Sequence, residues 1–197
     1  MAVALQAQTA EEILARMEAA MDRGDTDGMS MTMVIKLPII GSMTTRVLMF
    51  GDKTRMDMSA LGKKMMIFTE GGTSWTYAPS DNTITIESVK DNSGASQADE
   101  SMNMMEGVSE GYDVKIEKED ADTWYLLCTK QKSNKDKDAP KKINISVFKD
   151  SYMLKEFSTS IKGVKMTMKD AVIGVKEEEV TFNADNYPDA KIVDKRK

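Results

Sequence analysis

The sequence predicts a mainly β protein, an antiparallel meander attended by one N-terminal helix. Three observations carry that expectation. After residue 28 apolar and polar residues alternate through most of the chain, as strands with a buried face require. Glycine- and proline-centred turns separate these runs at short, regular intervals. Ahead of the first run stands a single stretch with helical periodicity.

That stretch is AEEILARMEAAM. Thr9 is placed to cap it, and Glu11 and Glu12 fall in the first turn, where the helix dipole favours acids. Ile13, Met17 and Ala20 or Met21 recur on one side, Leu14 widens the stripe, and Gly24 stops the helix. The strands follow as MSMTMVIKL (29–37), MTTRVLMF (43–50), TRMDMS (54–59), KKMMIFT, SWTYA and TITIES. Residues 90–110 break the rhythm: a loop leads into ADESMNMMEGV, expected to form a short helical lid with Met102, Met105 and Val108 on one side. YDVKIEKE, DTWYLLCTKQ, KINISVFK, SYMLKEFSTSI, KGVKMTMKDAVIGV and EEVTFNA bring the expected total to about ten or eleven strands. KSNKDKDAPKK (132–142) reads as a solvated hairpin excursion. Such a meander closes as a sandwich, a barrel or a curved open sheet wrapped on the helix. The single flanking helix, which needs an apolar face to lie on, favours the last.

At 197 residues the chain fits one domain, taken as residues 11–197. Residues 1–10 read as a signal-peptide remnant or flexible N-terminus. AVALQAQ has small residues at the spacing of a signal-cleavage site, which implies export to the periplasm. A net charge of −5 argues against a nucleic-acid partner, and no apolar run is long enough for a membrane-spanning helix. With no histidine, the Ser–His–Asp and Cys–His nucleophiles and every histidine-dependent metal site are excluded. Cys128, the only cysteine, sits in the apolar run WYLLCTK and reads as a buried thiol. Glu117/Glu119 and Asp120/Asp122 read as solvated faces, so nothing points to an enzyme or a cofactor.

The chain holds 18 methionines, many in i, i+2 pairs that share a strand face: Met29, Met31 and Met33; Met56 and Met58; Met166 and Met168. Met102 and Met104 repeat the spacing outside a clear strand. Three readings fit: an ordinary core, an adaptable apolar cavity built of repackable thioether chains, or a copper(I) site of soft sulfur ligands. Trp75 and Tyr77 share a face of one strand, either as a core anchor or at the mouth of a cavity. Arg46 shares its face with Leu48 and Phe50, and Arg55 shares its face with Asp57.

Taken together, AEEILARMEAAM followed at once by a Met-rich strand, GDKTRMDMS, FTEGGTSWTYAP and the closing VTFNADNYPDAKIVD resemble the outer-membrane lipoprotein carrier (LolA-like) and lipoprotein-sorting family. The resemblance implies an incomplete antiparallel barrel covered by helices, with an apolar hollow that takes acyl chains of a lipoprotein or lipid across the periplasm. Its partners would be that cargo and the inner- and outer-membrane proteins that donate and accept it. On this resemblance the cavity wall draws on Met29, Met31, Met33, Ile35, Leu48, Phe50, Met66, Phe68, Trp75 and Tyr77, and Arg46 holds the lid. The alternatives are a Met-rich copper(I) binder and the ligand-sensing ectodomain partner of an envelope regulatory system.

Overall fold

A computed structural model of the chain describes residues 8–39, 41–60, 62–91 and 108–196. Helix α1 spans Ala10–Asp22. Thr9 caps it as the sequence suggests, and Glu12 completes a reciprocal capping box: the Thr9 hydroxyl accepts the Glu12 N–H and the Glu12 carboxylate accepts the Thr9 N–H. Ala10, Ile13, Leu14 and Met17 are its buried face. Burying the three larger chains stabilises the docked helix by about 2 kcal/mol each. Arg16 fixes its rotation by donating to the Tyr152 hydroxyl (2.9 Å) in the turn between two distant strands.

The strands are β1 (Met29–Leu37), β2 (Gly41–Phe50), β3 (Lys53–Ala60), β4 (Lys63–Glu70), β5 (Thr73–Ala78), β6 (Thr83–Ser88), β7 (Tyr112–Glu119), β8 (Thr123–Lys130), β9 (Lys142–Phe148), β10 (Leu154–Ile161), β11 (Val164–Ile173) and β12 (Lys191–Asp194). All twelve lie in one open, curved sheet, ordered β12-β6-β5-β4-β3-β2-β1-β11-β10-β9-β8-β7. Two antiparallel meanders, β1–β6 and β7–β11, are joined through the long β1–β11 ladder at the centre. The mainly β, curved-sheet-on-helix architecture is thus the one expected.

Three details differ from the expectation. EEVTFNA is not a strand: Glu177–Val180 forms one helical turn, with three glutamates where the helix dipole favours them, and the chain continues in extended form through Thr181. The twelfth strand comes instead from the tail, which pairs with β6 in parallel, Ile192 opposite Ile84. The strand expected from Ser151 starts only at Leu154, because Tyr152 adopts φ 57° in the preceding turn. The helical lid expected over 98–108 lies outside the described residues, apart from the single turn Val108–Gly111.

Candidate functional site

Residues paired directly across neighbouring strands share a face, so the register sorts every side chain to one side of the sheet. One transverse row runs Leu126, Ile145, Phe157, Met168, Met33, Thr45, Met58, Met65 across eight strands. The adjoining row carries Met31, Val47, Met56 and Ile67. Both belong to the face that packs on Ile13, Leu14 and Met17 of α1 in the main core. Of the eleven methionines in described strands, Met29, Met31, Met33, Met43, Met49, Met56, Met58, Met65, Met166 and Met168 lie on this helix-bearing face and only Met66 on the other. Burial grades along the row: Met33 and Met168 are enclosed, Met58 is half-buried, and Met65 is 37% exposed.

The opposite face is built differently. Over β2–β6 it carries Leu48, Phe50, Arg55, Asp57, Met66, Phe68, Trp75, Tyr77, Ile84 and Ile86. The C-terminal segment crosses it. Val175 and Val180 pack on Leu48 and Phe50. The Phe182 ring stacks on Trp75 (centroids 5.4 Å apart, 9° between planes) and meets the edge of Phe68 at 5.7 Å. Tyr187 stacks in turn on Phe182 at 5.9 Å and touches Tyr77 at 4.4 Å. Polar groups tie the same segment down. Lys53 bridges Glu177 (2.7 Å) and Glu70 (3.1 Å), and the hydrogen bonds to these carboxylates hold its ammonium above the usual lysine range. Arg55 grips Asp57 through two nitrogens (2.8 and 3.0 Å), lies over the Phe68 ring, and reaches the Glu179 carbonyl.

The residues expected to line one wall are therefore divided. Met29, Met31, Met33 and Ile35 lie on the helix-bearing face; Leu48, Phe50, Met66, Phe68, Trp75 and Tyr77 lie on the face under the C-terminal segment. A single wall cannot be made of all ten. Arg46 is exposed, opposite Thr32 and Asp57 on the face away from α1. The arginine that touches a covering segment is Arg55. Phe182 and Tyr187, which complete the aromatic stack, were not anticipated. The signal for them was the run MMIF in β4: apolar residues that do not alternate mark a strand covered on both faces.

Cys128 is fully buried on the helix-bearing face, and burial pushes its thiol up to about 12, so it is no nucleophile at neutral pH. Asp120 is a turn residue whose carboxylate accepts the Asp122 N–H and the Tyr125 hydroxyl, which hold it below the usual range. Among the described residues no group of three or more His, Cys, Asp and Glu is placed to hold a metal, and no helix is long and apolar enough to cross a membrane. An open groove of about 670 Å³, lined in part by Arg23, Met153, Ala171 and Ile173, borders the helix-face core beyond the end of α1.

The open sheet, with one apolar, methionine-rich face laid on an N-terminal helix and the other strapped over β2–β6 by the C-terminal segment, has an overall fold with counterparts among solved structures. Among solved structures, an uncharacterised conserved protein from Thermus thermophilus matches over 95% of this chain and all of its own, at 15% identity and a TM-score of 0.51. MucB, solved in complex with MucA(peri), matches over 93% of this chain and 62% of its own, at 13% identity and a TM-score of 0.50. A LolA superfamily protein from Nitrosomonas europaea matches over 90% and 99%, at 12% identity and a TM-score of 0.37. These likenesses concern the fold. No family model and no curated protein matches the sequence.

Proposed function

We propose that the protein is a non-enzymatic, periplasmic carrier that takes acyl chains of a lipoprotein or lipid into an apolar hollow on the helix-bearing face. The observation that carries this reading is the partition of the methionines, ten of eleven on one face. Unbranched thioether chains repack around an occupant at little cost, and a wall that must admit and release different chains needs that property. The gradient from enclosed Met33 to exposed Met65 favours a wall that starts in the core under α1 and continues toward β4. Each buried methylene contributes about 0.8 kcal/mol, so eight of them supply about 6 kcal/mol. The ligand-contacting set is accordingly Met31, Met33, Ile35, Met58 and Met65. The six residues on the strapped face have a structural task.

Native mass spectrometry of detergent-free protein, followed by organic extraction, tests the reading. A bound mass that fragments as acyl chains is expected, and uptake of added lipopeptide is expected to be lost in Met58→Asp/Met65→Asp. Stoichiometric copper(I) uptake in place of lipid would instead assign the thioether band to metal. An apo protein that takes up neither would return the methionines to an ordinary core.

A further inference from the structure

The end of the sheet at which β1, β8 and β10 finish collects positive charge in an otherwise acidic chain. Lys36 stands directly opposite Lys165 in the β1–β11 ladder. Lys142 opens β9 on the other side of β10, and Lys141 precedes it. These four lysines are exposed, and no ion pair to any of them occurs among the described residues. Lys141, Lys142 and Lys165 line a groove of about 490 Å³ whose remaining lining is Asn144, Ser158, Thr159 and Ser160, with no carboxylate. A like-charge pair held face to face across a ladder destabilises the sheet unless an anion lies over it. The nearby aspartates are otherwise engaged: the Asp138 carboxylate is bound to Lys162 at 2.7 Å, and the Asp136 carboxylate accepts the Asp138 N–H at 2.9 Å.

A second observation lies beside the lysines. Ile39, at the tip of the β1–β2 turn, is fully exposed and holds φ 72°, a conformation that β-branched residues rarely adopt. The tip abuts the β10–β11 turn, with Pro38 placed 3.7 Å from where a Cβ on Gly163 would sit. An apolar tip is thus projected beyond a ring of lysines from rigid strands. This pairing suits a bilayer interface, where the apolar group enters among the headgroups and the ammonium groups meet phosphates. Free inorganic phosphate would use the lysines but leave Ile39 without a task. The chain carries a net charge of −5, so an anionic surface disfavours approach by its acidic regions and favours approach by this basic end.

We propose that this end of the sheet docks on an anionic phospholipid membrane, with Ile39 entering the interface and Lys36, Lys142 and Lys165 contacting lipid phosphates. The inference concerns how the protein meets a membrane and does not depend on what the helix-bearing face carries. The full chain is sedimented with phosphatidylglycerol-rich vesicles and with phosphatidylcholine vesicles. Binding to the anionic vesicles is expected to exceed that to the neutral ones by about tenfold, and to weaken with salt. Ile39→Ser is expected to lower it several-fold, and the triple change of Lys36, Lys142 and Lys165 to serine to bring it to the neutral level. All four side chains are exposed, so circular dichroism should be unchanged. Should the triple variant misfold, Ile39→Ser and the salt dependence still decide. Equal binding to both vesicle types, binding indifferent to Ile39→Ser, or displacement by millimolar inorganic phosphate would each overturn the proposal. Met58→Asp is expected to dock like the unaltered chain; loss of vesicle binding there would mean acyl-chain capture rather than docking.

Discussion

Over β2–β4 the sheet carries apolar side chains on both faces, yet on one side they are mainly methionine and on the other, continuing into β5, mainly aromatic rings. Over β5–β6 the helix-bearing side turns polar, with Ser74, Thr76, Thr85 and Glu87. On the helix-bearing side Met49, Met56, Met58 and Met65 present flexible chains. On the other side Phe68, Trp75 and Tyr77 present flat rings that Phe182 and Tyr187 meet at edge, near-parallel and tilted geometry respectively. A ring stack rewards one fixed partner at one orientation; a thioether wall is indifferent to the shape of what lies against it. The strapped face therefore behaves as permanent core, and the helix-bearing face is the one suited to a changing occupant. Stability and uptake should separate along this line.

The largest effect is expected on the strapped face. Phe182→Ala removes contacts with Trp75, Phe68 and Tyr187 at once. It should lower unfolding stability by about 2–4 kcal/mol, read as a shift of the urea midpoint. Ligand uptake by the protein that remains folded should be unchanged. If uptake fell with stability, the two faces would not be independent and the contrast between them would have no functional meaning. The complementary change, Met58→Asp/Met65→Asp, should leave the midpoint within about 1 kcal/mol, since both positions are partly open. Uptake of lipopeptide should fall by about tenfold or more, because a charge in the hollow must be desolvated by the acyl chain.

A smaller effect sharpens the role of the polar ties. Arg55→Lys keeps the charge but loses the fork that holds Asp57 and the reach to the Glu179 carbonyl. The pair is about a third exposed, so the stability loss should be about 0.5–1 kcal/mol. Amide exchange should quicken at Val180 to Phe182 and at β12 before anywhere else. The same change at Arg46, which is exposed and makes no described contact with the C-terminal segment, should alter neither.

Most of the fold was legible because the local signals agreed. The capping box at Thr9, the alternation in β1 and the two-residue turns each fixed their element without help from the rest of the chain. Parity within a strand was equally legible: Met29, Met31 and Met33 do share a face, as do Trp75 and Tyr77. What could not be read was how the parities of different strands combine. Met31 pairs with Val47, so Leu48 turns to the other side, and a one-residue difference in a single turn decides this for the whole strand. In β4 both faces carry apolar chains, and the run MMIF hides the alternation that would have revealed which side was which. Phe182 and Tyr187 lie in irregular chain, where no periodicity marks a residue as buried.

The smallest effect probes where the helix-bearing face stops being a wall and becomes closed core. Cys128 lies on that face beside Val114 and Ile143, with zero exposure. Its folded pKa of about 12 stands above that of an unfolded thiol, because burial disfavours the thiolate. Between the unfolded value near 8.5 and the folded one, the native state therefore binds the extra proton. Its contribution to stability is complete below the unfolded pKa and is lost as pH rises toward 12. Lysines and tyrosines titrate in the same window, so the informative quantity is the difference between the protein and Cys128→Ala. The melting temperature of the unaltered chain should fall more steeply above pH 9 than that of the variant. At pH 8 the thiol should resist a disulfide reagent until the protein unfolds. Rapid labelling of the native protein would mean that the core under α1 opens as far as β8, and that the changing occupant reaches well past the methionines.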